Sequence, residues 1–171
     1  MIKRGGKNRK AQINLSFGMI FSIILIVVFI AFAFYAIGKF LDLQKSAKTG
    51  QFISAFEEDI DRMWRSSQGS QEIEYSLPTS VDYLCFADFG REKEGIRKDF
   101  YNNLRLVHFE DENIFFYPVG SSGGVNSAEI DNIDIAGITG RENPYCIRNI
   151  KGKVKLTIKK GFDEGLVTIA R

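Results

Sequence analysis

Residues 13–41 have the sequence INLSFGMIFSIILIVVFIAFAFYAIGKFL, and this apolar stretch decides the architecture of the chain. Leu, Ile, Val and Phe occupy most of its positions, and no charge appears before Lys39. At ~0.3 to 0.6 kcal/mol each near the centre of a bilayer, such residues favour insertion by about 5 to 10 kcal/mol. A helix of this length rises ~43 Å at ~1.5 Å per residue, which exceeds the ~30 Å hydrocarbon core of a membrane. The stretch therefore predicts one transmembrane helix, which we place at 12–41.

A basic segment precedes the apolar stretch. It contains Lys3, Arg4, Lys7, Arg9 and Lys10. At the other end of the stretch, Asp42 stands among Lys39, Lys45 and Lys48. An excess of Lys and Arg stays on the cytoplasmic side of a membrane. We therefore expect a single-pass protein of the cell membrane, with a basic cytoplasmic leader at 1–11 and an extracellular C-terminal part.

The junction between leader and helix is Lys10-Ala11-Gln12, with no spacer before Ile13. This junction resembles the class III signal peptide of archaeal type IV pilins and archaellins, in which a membrane peptidase cuts after a small residue preceded by Lys or Arg. The resemblance implies that a prepilin-type peptidase cuts between Ala11 and Gln12, which leaves the apolar helix on the mature protein. Many bacterial pilins carry Glu four residues after the new N-terminus, where this chain has Ser16. The resemblance is therefore to the archaeal proteins.

Three further segments resemble those of membrane-anchored proteins from small-genome archaea. They are SFGMIF at 16–21, SQGS at 67–70 and PYCI at 144–147. This second resemblance implies membrane attachment and supplies no activity.

Two other fates of the N-terminal segment stay open. An uncleaved signal anchor would keep the leader on the protein. The segment Ala31-Phe32-Ala33 has the small-x-small form that a secretory signal peptidase cuts, and cleavage there would release a soluble domain.

After the apolar stretch, residues 43–65 contain no proline and carry apolar residues at helical spacing. The apolar set is Phe52, Phe56, Ile60, Met63 and Trp64. This pattern predicts that the membrane helix continues as an amphipathic stalk, 42–70, whose last residues form a turn. Trp64, on the apolar face, is expected in the core.

Beyond the stalk, apolar and polar residues alternate with the period of a half-buried strand. The predicted strands are 73–77, 81–86, 104–109, 114–119, 154–158 and 166–169. The acidic turn 110–113 is expected to close a hairpin, and 120–140 is expected to be a surface loop or a short edge strand. The predicted fold class is α+β: a long N-terminal transmembrane helix continues as a stalk that packs on a small antiparallel β-sheet, in an exported domain at 71–171. The pilin resemblance implies the same arrangement.

The chain has two cysteines, Cys85 and Cys146. On the oxidising outer side of a membrane they are expected to form a disulfide, which would stabilise the domain by about 4 kcal/mol in the chain-entropy model. Two free buried thiols are the alternative.

Candidate chemical groups are few. The single histidine, His108, is expected in a strand and has no partner at metal-ligand spacing. Residues 120–124 lack the Gly-Lys-Ser or Gly-Lys-Thr of a phosphate loop, and the lysines at 151–155 alternate with apolar residues like the solvated face of a strand. The acids Glu129, Asp131 and Asp134 lack the spacing of a calcium loop. We therefore predict no catalytic residue, metal, cofactor or nucleic-acid partner, and no enzyme.

These features favour a structural role, as a type IV pilin-like filament or pseudopilus subunit. Such a subunit would contact membrane lipid, and through its N-terminal helix also copies of itself or related pilin-like subunits. Gly18 and Ser22 form a small-xxx-small pair on one helix face and are the candidate helix-packing residues. The alternative is a non-polymerising, single-pass, surface-anchored binding module of adhesin type. Helices made for lipid and for a filament core use the same residues, so the sequence leaves both open.

Overall fold

The computed structural model describes residues 17–170 of the chain. Helix α1, Phe17–Arg65, is a single helix of 49 residues. The chain divides into two compact units, one ending at Lys39 and the other beginning at Phe40, and α1 contributes to both. The predicted cleavage residues Lys10, Ala11 and Gln12 lie outside the described residues.

The apolar stretch has no buried side chain in its described part. Every residue from 17 to 41 is exposed, including large apolar residues such as Phe29 and Phe34. Within residues 17–170, α1 is the one helix long and apolar enough to cross a membrane. A helix that is apolar on all sides needs an apolar environment on all sides, which lipid supplies.

Short strands and two small helices follow α1. In chain order they are β1 Gly69–Ser76, β2 Tyr83–Phe86, α2 Lys98–Arg105, β3 Ile114–Tyr117, β4 Ser127–Ala128, α3 Ile135–Ile138, β5 Tyr145–Arg148, β6 Lys153–Lys160 and β7 Thr168–Ala170. They form two antiparallel sheets, with strand orders β1-β6-β7 and β4-β3-β2-β5. The α+β class is confirmed, but the single sheet predicted from the sequence is divided into two.

The main core lies between α1 and both sheets. Phe52, Phe56 and Ile60 are buried at successive turns of α1. The Phe52 ring lies 5.5 Å from the ring of Tyr75 in β1 and 5.8 Å from that of Phe116 in β3. The helix thus supplies the apolar cover that each sheet requires on one face.

The hairpin of β6 and β7 agrees with the prediction. Val154, Leu156 and Ile158 are buried, while Lys153, Lys155 and Lys159 face solvent. The ammonium of Lys155 lies 2.7 Å from the carboxylate of Glu72 across the β1–β6 pair. The hydrogen bond to Glu72 raises the pKa of Lys155. The lysine row is therefore the solvated face of a strand.

The strand predicted at 104–109 is wrong. Leu104 lies in helix α2, and the chain from Leu106 to Asn113 is a series of turns and irregular segments that contains His108. Tyr101 and Leu104 are three residues apart and are buried on one face of α2. The apolar residues at 104, 107 and 109 are by themselves compatible with a strand. The burial of Tyr101 and Leu104 at helical spacing instead favours the helix that the chain forms up to Arg105. The predicted hairpin is therefore absent, and β3 pairs with β2 and with the edge strand β4.

Two further corrections concern the end of α1. Trp64 is 40% exposed, and its indole N–H donates to the carbonyl of Gly165 at 3.1 Å, so it is not a core residue. The helix itself ends at Arg65, as the sequence predicts, but the turn expected over the last residues of the stalk is shorter, because Gly69 already begins β1.

Candidate functional site

The predicted helix-packing pair lies near the start of the described part of α1. The Ser22 hydroxyl donates a hydrogen bond of 2.8 Å to the carbonyl of Gly18, one turn earlier. This bond satisfies the hydroxyl within its own helix, so Ser22 needs no polar partner in an apolar environment. With no side chain at Gly18, this face leaves room for a neighbouring backbone. Contact between copies at this face stays a prediction.

Just after the apolar stretch, α1 is bonded to the loop between β3 and β4. The Ser46 hydroxyl donates to the carbonyl of Gly123. The hydroxyl of Thr49, which is fully buried, donates to the carbonyl of Ser122 at 3.2 Å. A buried hydroxyl that lost its partner would cost about 1 to 3 kcal/mol, so this contact fixes the helix on the domain.

Gly123 allows this close approach. Its φ is +80°, and a Cβ atom there would lie 2.5 Å from both the Asp42 carbonyl oxygen and the Ser46 nitrogen. No side chain fits at that distance, so the glycine is required by the neighbouring helix backbone. The sequence predicts only a surface loop or a short edge strand at 120–140. The available signal was the run of glycines in one segment together with small hydroxyl residues at helical spacing in another.

A buried asparagine holds the long connection between β2 and α2. Asn143 is 2% exposed, and its side-chain amide donates to the carbonyl of Asp88 at 2.7 Å and accepts from the N–H of Asp88 at 3.1 Å. Its backbone exchanges two hydrogen bonds with Glu94, at 2.9 and 3.0 Å. No sequence pattern indicates a role for Asn143, because its partners are backbone groups about 50 residues away in the chain.

The expected disulfide is present between Cys85 and Cys146. The two residues are directly paired on the neighbouring strands β2 and β5, and both are buried. Leu104 of α2 and Phe115 of β3 belong to the same small core around the bond. The bond therefore joins the inner strand β2 to the edge strand β5 of the four-stranded sheet.

A cleft of about 470 Å³ opens beside His108. Its lining includes Asp88, Phe89, Arg105, His108 and the acidic residues 110–112. The His108 ring lies 4.5 Å from that of Phe89, and the Glu112 carboxylate accepts a bond of 2.9 Å from the N–H of Phe109. These groups hold the surrounding loops, and the cleft offers a concave, mostly polar surface to a ligand.

The described residues contain no cluster of three or more His, Cys, Asp or Glu side chains arranged to hold a metal ion. Of the acids considered for calcium, Asp134 accepts a bond of 2.9 Å from the N–H of Gly137 and caps α3. Its carboxylate thus has a structural role within the loop.

The geometry defines an exposed apolar helix that continues into the core of an α+β domain. No protein-family model matches the chain, and neither does any curated protein or solved structure. Function is therefore inferred from the chain's own residues.

Proposed function

We propose that this chain is a membrane-anchored, exported structural protein of the archaeal type IV pilin-like class, which serves as a filament or pseudopilus subunit. The observation that carries the proposal is helix α1. Its residues 17–41 are exposed and almost wholly apolar, while Phe52, Phe56 and Ile60 belong to the main core of the domain. One continuous helix thus links a lipid-compatible segment to an ordered domain.

In this proposal the basic leader stays in the cytoplasm and the domain lies outside the cell. A prepilin-type peptidase removes residues 1–11, and the apolar helix remains on the protein. The helix resides in lipid and then packs against copies of itself or related pilin-like subunits. The role is structural rather than catalytic and requires no cofactor, metal or nucleic acid.

N-terminal sequencing of the protein from membranes tests the processing step. We expect the mature chain to begin at Gln12. Ala11→Leu should block the cut because it removes the small residue, whereas the matched change Ala33→Leu should leave it intact. A chain that begins at Met1 would define a plain signal anchor, and one that begins after Ala33 would define a secreted domain.

A substitution at Gly18 tests assembly. Gly18→Leu should preserve membrane insertion, because Leu is favourable in a bilayer, and should block close approach of two helices. Ala31→Leu is the matched control, since residue 31 lies on the other side of the same helix. Electron microscopy and cross-linking should show surface filaments for the control and not for Gly18→Leu. Equal assembly of both variants would contradict packing at this face.

A non-polymerising, surface-anchored binding module of adhesin type is the alternative function. The cleft beside His108 favours it, because a concave surface on the outer domain could receive a ligand. This alternative predicts no filaments from the wild-type protein, even when the peptidase and the assembly machinery are supplied. It also predicts that the protein remains monomeric in the membrane after cross-linking.

A further inference from the structure

A small pocket lies beside α1, next to the point where the apolar stretch ends. Its volume is about 250 Å³. The lining consists of Leu41, Gln44, Lys45 and Lys48 from α1 and of the loop 78–80 that follows β1. All of these residues belong to the unit that begins at Phe40.

The loop wall of this pocket is held in place by hydrogen bonds. The N–H of Leu77 donates to the carbonyl of Gly152 at 3.0 Å, and the Asn149 amide donates to the carbonyl of Pro78 at 2.9 Å. The Ser80 hydroxyl donates to the carbonyl of Ser121 at 2.6 Å. Three hydrogen bonds to other parts of the domain thus hold the loop in place. The pocket is therefore formed before any ligand binds.

The pocket presents positive charge with little compensation. Lys48 is half-buried beside Gly152 and makes no ion pair among residues 17–170. Lys45 lies 3.4 Å from the Asp42 carboxylate, but the two side chains are 37% and 62% exposed, and ion pairs open to solvent contribute little. Thr79 and Gln44, whose side chains carry neutral donors, also line the pocket. Two ammonium groups among neutral donors match a phosphate group.

The position of the pocket along α1 indicates that such a phosphate would belong to a lipid headgroup. Leu41 and Leu43 are 48% and 67% exposed, and beyond them α1 has no exposed large apolar side chain before Trp64. If the apolar stretch lies in lipid, Leu41 and Leu43 mark the upper edge of the hydrocarbon. The pocket then lies in the headgroup layer, where basic side chains are attracted to anionic lipid.

We propose that the pocket formed by Lys45, Lys48 and loop 78–80 binds the phosphate of an anionic lipid headgroup. The inference rests on the proposed membrane anchoring of α1. Bound lipid would hold the domain at the membrane surface before assembly and would be released when the helix leaves the bilayer.

Native mass spectrometry of the full-length protein tests the pocket. The protein is extracted from vesicles that contain equal amounts of phosphatidylglycerol and phosphatidylcholine, and the retained lipid is identified. Wild type should retain phosphatidylglycerol preferentially. Lys45→Gln/Lys48→Gln should lower that preference by about thirtyfold. Lys93→Gln/Lys98→Gln, which removes the same charge from exposed lysines with no ion pair among residues 17–170, should retain it.

Several outcomes would overturn the proposal. They are equal retention of both lipids by wild type, an unchanged preference in Lys45→Gln/Lys48→Gln, and an equal loss in the control. Glycerol 3-phosphate is offered to delipidated protein as a second arm. If it binds and displaces phosphatidylglycerol completely, the ligand is a soluble phosphate. Lys45→Arg/Lys48→Arg keeps both positive charges and should keep the preference for phosphatidylglycerol. It thereby separates loss of charge from misfolding caused by substitution at these positions.

Membrane fractionation of each variant separates this proposal from the anchoring on which it rests. A wild-type protein found in the soluble fraction would refute the anchoring, and the lipid site with it. A membrane-bound wild type without lipid preference would refute the lipid site alone.

Discussion

Two segments of one helix differ in almost every property except their backbone. In the apolar stretch, residues 17–41 are exposed and almost uniformly apolar. The domain segment of α1, residues 42–65, is amphipathic, with Phe52, Phe56 and Ile60 buried and with Glu57 and Glu58 exposed to solvent. Backbone hydrogen bonding is the same in both, so the side chains alone decide which surroundings each segment requires.

The comparison separates two kinds of helix stability. The apolar stretch depends on its surroundings. In lipid its backbone groups are hydrogen-bonded within the helix, and its apolar side chains contact apolar lipid chains. The domain segment depends on tertiary contacts, because an isolated helix of this length is marginal in water. We therefore expect a change in one segment to leave the other intact, and the following predictions test this separation.

The largest effect should come from charge in the apolar stretch. Val27→Lys/Val28→Lys should cost roughly 6 to 8 kcal/mol of insertion free energy, which is comparable to the whole favourable term. The protein should move from the membrane fraction to the soluble or aggregated fraction. The same change at exposed positions of the domain segment, Ser54→Lys/Ala55→Lys, should leave it in the membrane. Membrane retention of the first variant would show that this stretch does not anchor the protein.

The next largest effect should come from the core of the domain segment. Phe56 is fully buried, with its ring 5.7 Å from that of Tyr75 and 6.2 Å from that of Phe86. Phe56→Ala should lower the free energy of unfolding by about 3 to 5 kcal/mol, because it removes apolar contacts and leaves a cavity. Chemical denaturation in detergent measures it, and Trp64→Ala should cost less than about 1 kcal/mol.

Membrane fractionation completes this comparison. Phe56→Ala should insert normally, because its defect lies outside the apolar stretch. If Trp64→Ala proved as destabilising as Phe56→Ala, the assignment of the core would be wrong.

Removing the disulfide should lower the stability of the domain and leave the apolar stretch unaffected. Cys85→Ala/Cys146→Ala should lower the free energy of unfolding by about 2 to 5 kcal/mol, since the bond closes a loop with a sequence separation of 61 residues. Denaturation of the wild type with and without reductant should give the same difference. Mass spectrometry of unreduced peptides should find the two cysteines joined. Free alkylation of both thiols in fresh membranes, without reductant, would contradict the bond.

The smallest effect concerns the hydrogen bond between Tyr75 and α1. The Tyr75 hydroxyl donates to the Asp59 carboxylate at 2.6 Å. Burial, and then this bond, raise the pKa of Tyr75 far above its ordinary value. Because only the unfolded chain ionises this group readily, its contribution to stability should be constant below about pH 10 and decrease above it.

The expected slope from Tyr75 is at most ~1.4 kcal/mol per pH unit. Denaturation of wild type and Tyr75→Phe between pH 7 and about pH 11 isolates it, since other groups titrate alike in both proteins. The difference in stability between the two proteins should shrink as the pH rises above about 10. A constant difference over this range would mean that Tyr75 ionises equally in the folded and unfolded chain.

Features with a local repeat were predictable from sequence. The apolar stretch, the alternation in β6 and the helical spacing of Phe52, Phe56 and Ile60 each repeat a pattern over several turns or strand residues. The disulfide followed from the cysteine count. Shorter segments were not predictable, because a few apolar residues around Leu104 fit a strand and a helix equally well.

Contacts between distant segments determined the rest of the candidate site. The glycine run around Gly123 permits a close approach of backbone, but it does not identify Asp42 and Ser46 as the residues that lie against it. Nothing near Asn143 in the sequence indicates its bonds to Asp88. Likewise, the pocket at Lys45 and Lys48 exists because a loop more than 30 residues away closes one side. Such arrangements have no sequence period and follow only from the folded chain.

The sequence by itself determined that the chain has an apolar helix with the length of a membrane span, an amphipathic continuation of that helix, and strands in which apolar and polar residues alternate. These are local properties, set by side-chain hydrophobicity and backbone periodicity. Tertiary structure alone decided that the strands form two sheets, that residues 98–105 form a helix and that Trp64 is exposed. The physical reason is that burial depends on which segments meet, and chain segments far apart in sequence meet only in the fold.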